Sequence, residues 1–109
     1  MMHPEVSNLF RLEGQVALVV GGARHLGRDA ASILAAAGAQ VVVTSRDLGR
    51  ARKAAEELSR EYAVDALGLC LDHTCPPQPA ETIAAAAAWR NRLDIAINNA
   101  GGVDRKSVV

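Results

Sequence analysis

The stretch from Val16 to Gly27, VALVVGGARHLG, constrains this chain more than any other segment. An apolar run suited to a buried strand ends at Gly21 and Gly22, and Gly27 stands where an apolar pattern of helical spacing begins. A strand, a glycine-bearing turn and a helix make an anion site, because the first free N–H groups and the dipole of the helix favour negative charge. A tight turn that needs glycine only for packing is the alternative.

Apolar runs and helical patterns alternate along the rest of the chain. Residues 15–20, 40–45, 65–72 and 93–98 are predicted strands, and an alanine-rich helix is predicted over 80–91. Two further helices show one apolar face each, made of Leu26, Ala30, Ile33, Leu34 and Ala37 in the first and of Leu48, Ala51, Ala55, Leu58 and Tyr62 in the second. The order β-α-β-α-β-α-β predicts a parallel, twisted sheet with right-handed crossovers.

Composition limits the classes of function. The chain has 109 residues, half of them apolar, which fits one globular domain over residues 1–109. The formal net charge is zero, so no basic field favours nucleic acid or anionic lipid. No apolar run approaches the roughly 20 residues that span a bilayer, and the N-terminal segment has no signal-peptide core. We expect a cytoplasmic protein with no nucleic-acid or membrane partner.

The two cysteines do not predict a metal site. Cys70 and Cys75 flank His73 in CLDHTC, but a metal centre usually needs closely paired cysteines and four ligands. We expect two unpaired thiols.

The glycine spacing excludes two common nucleotide motifs. Gly22 and Gly27 have the spacing of a P-loop, but Arg28 and Asp29 stand where lysine and a hydroxyl residue are required. The glycines also miss the G-x-G-x-x-G dinucleotide spacing. The segment VGGARHLG (20–27) instead resembles the T-G-x-x-x-G-x-G turn of the short-chain dehydrogenase/reductase family.

Three later segments extend this resemblance in the right order. AAAGAQVVVTSR is similar to the family's first helix end and second strand, LDHT (71–74) to its post-strand aspartate segment, and RLDIAINNAGG (92–102) to its N-N-A-G segment. The resemblance implies a Rossmann-like three-layer α/β/α fold with a parallel sheet, here truncated after the fourth strand. It also implies the N-terminal, cofactor-binding half of an oxidoreductase that exchanges hydride between nicotinamide and a carbonyl or alcohol substrate.

Two positions depart from the family pattern. Val20 replaces the family's threonine, which usually braces the turn, and His25 replaces its middle glycine, which lies near the pyrophosphate. The His25 side chain could donate a hydrogen bond to the phosphates or obstruct the site. Gly21 and Gly27 keep the family pattern and, with His25 and Leu26, are expected to contact the cofactor.

The second strand indicates which cofactor is bound. An acid at its end selects NAD by bonding the ribose 2′-hydroxyl, but Ser45 holds that position and Arg46 follows. Arg24 in the glycine turn supplies a second guanidinium, and two such groups suit a 2′-phosphate. The sequence favours NADP(H) over NAD(H). Solvated surface arginines are the alternative, and Asp47 could partly neutralise Arg46.

The remaining candidate contacts follow from the resemblance. Asp72 is the candidate for the adenine amino group, with a turn-forming aspartate as the alternative. Asn98, Ala100 and Gly101 would line the ribose and nicotinamide side, whereas Asn99 is expected to brace neighbouring strands.

Catalysis in the family uses a serine, a tyrosine and a lysine four residues after that tyrosine, all downstream of N-N-A-G. The only tyrosine here, Tyr62, has Ala66 four residues on, so no catalytic residue is assigned and the substrate stays unknown. A non-catalytic dinucleotide-binding module is one alternative function. Another is a structural role, with a homo-oligomer or a complementary chain paired through the open edge of the strand at 93–98.

Overall fold

The computed structural model describes residues 11–71 and 79–99. In chain order these ranges form β1 (Val16–Val20), α1 (His25–Ala36), β2 (Gln40–Ser45), α2 (Leu48–Tyr62), β3 (Ala66–Cys70), α3 (Pro79–Trp89) and β4 (Ile95–Asn98). The predicted alternation of strands and helices is confirmed. The third and fourth strands are shorter than the predicted 65–72 and 93–98.

The four strands form one parallel sheet in the order β3-β2-β1-β4. Val16 is in register with Gln40 of β2, and Val20 with Asn98 of β4. The chain therefore moves from β1 outward to β3 and then returns to the other side of β1. This reversal places a crevice at the carboxyl ends of β1 and β4, where ligands bind in open α/β sheets.

The central strands β1 and β2 are valine-rich because both faces of the sheet are covered there. On one face, Val19, Val41 and Val43 pack against small residues of α1 and α2. On the other, Leu18 and Val42 pack with Ala86 of α3, and Trp89 lies partly buried beside them. The result is a layer of two helices, the sheet and a layer of one helix, which confirms the Rossmann-like α/β/α fold.

The first helix buries a different face from the one that its large apolar residues predicted. Leu26 is 74% exposed and Ile33 70% exposed, while Gly27, Ala31 and Ala35 are buried. Small side chains let the helix axis approach the sheet and the second helix closely, and Leu26 and Ile33 then point outward. Leu34, also on the predicted face, is partly buried and packs against the core. The prediction for α2 is confirmed at Ala51, Ala55 and Leu58.

Residues that favour helix ends stand at the boundaries of the helices. Gly38 follows α1 with φ of +100°, and Asn91 adopts φ of +59° after α3. The Asp47 carboxylate caps α2 by accepting from the Arg50 N–H at 3.2 Å. In the described part of the chain, no helix is both long and apolar enough to cross a membrane.

Candidate functional site

The glycine turn between β1 and α1 is packed too tightly for side chains. Gly21 has φ of +77°, a left-handed conformation that favours glycine. A Cβ added to Gly27 would lie 2.1 Å from the Gly21 carbonyl oxygen, and one added to Gly22 would lie 2.9 Å from the Val19 carbonyl oxygen. The start of α1 is therefore held against the turn, and the backbone forms a cradle that any Cβ would fill.

The turn is braced by β2. The Gly21 N–H donates to Thr44 Oγ1 at 3.1 Å, and the Gly22 N–H donates to the Thr44 carbonyl oxygen at 3.1 Å. Thr44 is buried, with 1% of its surface exposed. The role of Thr44 was not predicted from the sequence, because its partner lies 23 residues away in the chain.

The N-terminus of α1 keeps its positive dipole. Arg24 is the N-cap residue, with extended φ of −157°, and its side chain makes no capping hydrogen bond. The first turn contains no acidic residue. His25 begins the helix with φ of +57°, and its side chain is exposed. The free N–H groups of this first turn, together with the dipole, form an environment suited to an anion.

The loop after β2 is fixed through its backbone. The Asp47 N–H donates to Ser45 Oγ at 3.2 Å, and Cys70 Sγ donates to the Arg46 carbonyl oxygen at 3.4 Å. The Asp47 carboxylate caps α2 and pairs with Arg50 at 3.9 Å, so it does not pair with Arg46 as sequence analysis had allowed.

Arg24 and Arg46 both follow the carboxyl ends of strands and are exposed. None of the ion pairs within residues 11–71 and 79–99 involves either guanidinium. Arg28, by contrast, donates to Ser32 Oγ at 2.7 Å and pairs with Glu57 at 3.5 Å. Arg24 and Arg46 are therefore the cations at this edge of the sheet that are placed for an anionic ligand.

The end of β4 meets the glycine turn across β1. Asn98 is exposed in register with Val20, and the Asn99 N–H donates to the Val20 carbonyl oxygen at 2.8 Å. The Asn99 backbone thus extends the pairing of β4 with β1, and bracing by its side chain remains a prediction. The Asn99 amide nitrogen also lies 3.0 Å from the position that a Gly27 Cβ would occupy.

The structure brings most predicted cofactor contacts to one edge of the sheet. Gly21, Arg24, His25, Leu26 and Gly27 follow β1, Ser45 and Arg46 lie at the end of β2, and Asn98 ends β4. Asp72, Ala100 and Gly101 lie outside the described residues, so their predicted contacts remain predictions. His73 and Cys75 lie outside as well.

A separate groove of about 880 Å³ follows the outer edge of β3 between α2 and α3. Its lining is of mixed charge and includes Arg52, Glu56 and Glu81. No residue predicted to bind cofactor lines it. Within the described ranges, no group of three or more His, Cys, Asp or Glu side chains is placed to hold a metal ion.

Known proteins match the chain over nearly its whole length. The sequence profile of the short chain dehydrogenase family matches residues 15–108. The 3-oxoacyl-acyl-carrier-protein reductase FabG of Aquifex aeolicus is 34% identical over 91 residues, which are 84% of this chain and 37% of that protein. The chain thus spans little more than a third of that relative's length.

Two solved structures share the fold. A hydroxysteroid dehydrogenase from Escherichia coli superposes with a TM-score of 0.79 at 29% identity, covering 88% of this chain and 40% of that one. The NADP active-site complex of Pseudomonas aeruginosa RhlG superposes with a TM-score of 0.72 at 36% identity, covering 92% of this chain and 38% of that one. Sequence and fold agree, and the chain belongs to the short chain dehydrogenase family.

Proposed function

We propose that this chain is the NADP(H)-binding portion of a short-chain dehydrogenase/reductase. The observation that carries the proposal is the contact between Gly27 and the Gly21 carbonyl group, which holds a helix N-terminus without a side-chain cap against the paired glycines Gly21 and Gly22. The pyrophosphate of a dinucleotide fits this cradle, because it needs both close backbone approach and positive potential.

The choice of NADP(H) rests on Arg24 and Arg46. Both are exposed after neighbouring strands, and the acid that would bond a ribose 2′-hydroxyl is replaced by Ser45. Guanidinium groups recognise a phosphate through charge-assisted, often bidentate hydrogen bonds. The RhlG complex with NADP is a precedent for this cofactor on a similar fold.

The other predicted contacts complete the proposed site. Asp72 would bond the adenine amino group, and Asn98, Ala100 and Gly101 would face the ribose and nicotinamide. A bound nicotinamide supplies a hydride for a carbonyl substrate or accepts one from an alcohol. The residues of this chain would hold and orient that cofactor at the crevice between β1 and β4. The proposed location of the whole protein is the cytoplasm.

The 109 residues on their own are proposed to bind cofactor without turning over a substrate. Tyr62, the only tyrosine, lies half-buried on α2 against the core, away from the carboxyl edge of the sheet. No lysine stands four residues after it. The substrate of the parent reaction is therefore not assigned from these residues.

Calorimetric titration of an Arg46→Ala variant tests the cofactor assignment. Charge-assisted hydrogen bonds contribute about 1.5–3 kcal/mol, so we expect the variant to bind NADPH at least about tenfold more weakly. Its affinity for NADH should stay unchanged. Arg60→Ala, near the other end of α2, is the matched control and should bind both nucleotides like the wild type. Equal weakening of NADPH and NADH by Arg46→Ala would contradict the 2′-phosphate assignment.

A second candidate function is association through the sheet edge beside β4. In the described part of the chain, β4 pairs with β1 and with no other strand. Ile33, on the outer face of α1, leaves 70% of its surface in solvent. An unpaired strand edge and an exposed apolar side chain favour pairing with a second copy or with a complementary chain. This role is compatible with cofactor binding.

A further inference from the structure

Thr44 holds two successive peptide groups of the glycine turn. Its hydroxyl oxygen accepts from the Gly21 N–H and its carbonyl oxygen accepts from the Gly22 N–H, each at 3.1 Å. Thr44 and Thr82 are the buried polar residues in the described part of the chain. The other core residues of β2 are Val41, Val42 and Val43, so an apolar residue would be the ordinary choice at position 44 for packing alone.

The two bonds hold the peptide groups on either side of the Gly21 Cα and so set its φ and ψ: the Thr44 hydroxyl holds the group that precedes Gly21, and the Thr44 carbonyl oxygen holds the group that contains the Gly21 carbonyl oxygen. Gly21 adopts φ of +77°, and its carbonyl oxygen is the atom nearest to a Cβ placed on Gly27. A rotation of the Gly21 peptide group would therefore move the surface against which α1 begins. Val20, the residue before the turn, has no hydroxyl group that could supply this bond from β1.

We propose that Thr44 is a positioning residue for the dinucleotide. Its hydroxyl group keeps Gly21 in the left-handed conformation, and Gly21 in turn keeps the N-terminus of α1 in place for the pyrophosphate. This inference rests on the proposed function, because it assigns Thr44 a role in the same site. Thr44 itself acts through the turn and makes no contact with the ligand.

Two substitutions of Thr44 separate the effect of its hydrogen bond on binding from the effect of its packing. Thr44→Val keeps the size of the side chain and leaves the Gly21 N–H without its acceptor. Thr44→Ser removes a methyl group and keeps the acceptor. If only packing mattered, serine would be the more damaging change; if the hydrogen bond matters, valine is.

The test combines amide hydrogen exchange at Gly21 with calorimetric titration of NADPH, on the 109-residue chain and its variants. Thr44→Val should accelerate exchange of the Gly21 amide and weaken NADPH binding about tenfold. Thr44→Ser should retain the protection of Gly21 and bind NADPH within about twofold of the wild type. Thr82→Val is the matched control: its hydroxyl donates to the Cys70 carbonyl oxygen at 3.1 Å, so this variant should leave Gly21 exchange unchanged.

The test distinguishes failure of the positioning role of Thr44 from failure of the proposed function. If the wild-type chain binds NADPH and Thr44→Val binds it equally well, the positioning role is overturned while the proposed function stands. If the folded wild-type chain binds no nucleotide, the proposed function fails and the positioning role fails with it. Should Thr44→Val not fold, Thr44→Cys keeps the size with a weaker acceptor, and unchanged affinity in that variant overturns the inference.

Discussion

His25 occupies a backbone conformation that glycine adopts far more readily. Its φ of +57° lies in the left-handed region, where the Cβ of an L-residue approaches the following carbonyl oxygen. The side chain is exposed, and no hydrogen bond or ion pair within the described residues involves it. The histidine therefore adds strain at the first residue of α1 without a compensating side-chain contact from residues 11–71 or 79–99.

Replacing His25 with glycine should relieve this backbone strain, whereas replacing it with alanine should not. His25→Gly should unfold in urea with a free energy about 1 kcal/mol higher than His25→Ala, because both lose the imidazole but only glycine accepts positive φ without penalty. The gain over the wild type is smaller, about 0.5 kcal/mol, because histidine adopts the left-handed region more readily than alanine. An alanine variant as stable as the glycine variant would show that the position is unstrained.

Titration of the same two variants with NADPH shows whether the imidazole strengthens or weakens binding of the cofactor. A loss of NADPH affinity in both means that the side chain donates a hydrogen bond to the phosphates. A gain in both means that it obstructs them.

At the scale of elements, Asp94 ties the start of β4 to the start of β1. Its carboxylate accepts from the Val16 N–H at 2.8 Å and from the Arg92 guanidinium at 2.8 and 2.7 Å. The bonds from Arg92, and then that from Val16, hold the pKa of Asp94 below its ordinary value. The ionised carboxylate thus stabilises the pairing of β4 with β1.

This contact predicts a specific loss of stability in acid. Because the folded-state pKa is depressed, the contribution is fully present above the ordinary aspartate pKa of about 3.9 and disappears as the pH falls through the folded-state value. Asp94→Asn should therefore be less stable than the wild type at pH 7, and the difference should shrink at pH 3. Urea denaturation of both proteins at the two pH values measures it. A difference that is the same at both pH values would contradict the role of the charge.

Sequence patterns predicted where the helices and strands lie better than they predicted which side chains pack or bond between them. The second strand is found at residues 40–45 as predicted, because its β-branched run ends at turn residues on both sides. The buried face of α1 was missed, since the pattern of large residues marked Leu26 and Ile33 while close packing required Gly27, Ala31 and Ala35. Thr44 was missed because its role depends on a partner 23 residues away in sequence. Such cross-strand contacts leave no local pattern.

At the scale of the whole molecule, the sheet has two unpaired edges among the described residues. β3 and β4 are the outer strands, and the exposed Ile33 lies on the helix layer that covers one face. Exposed strand edges and apolar side chains promote association in water. The outer edge of β4 and the exposed Ile33 of α1 together form the surface proposed for association.

Association through this surface should depend on Ile33. Sedimentation velocity is expected to show self-association of the 109-residue chain, and Ile33→Glu should shift it to the monomer by placing a charge in an apolar contact. Ile83→Glu is the matched control, because Ile83 is 43% exposed on α3, on the opposite face of the sheet. A monomeric wild-type chain, or equal effects of the two variants, would contradict association through α1 and β4.

The central claim is that the glycine turn and the N-terminus of α1 bind NADP(H). The most direct measurement is an NMR titration of the ¹⁵N-labelled chain with NADPH, read at the backbone amides. We expect the largest shifts at Gly21, Gly22 and His25 to Gly27, with further shifts at Ser45 and Arg46. Shifts confined to the groove along β3, or no shifts in a folded chain, would contradict the account.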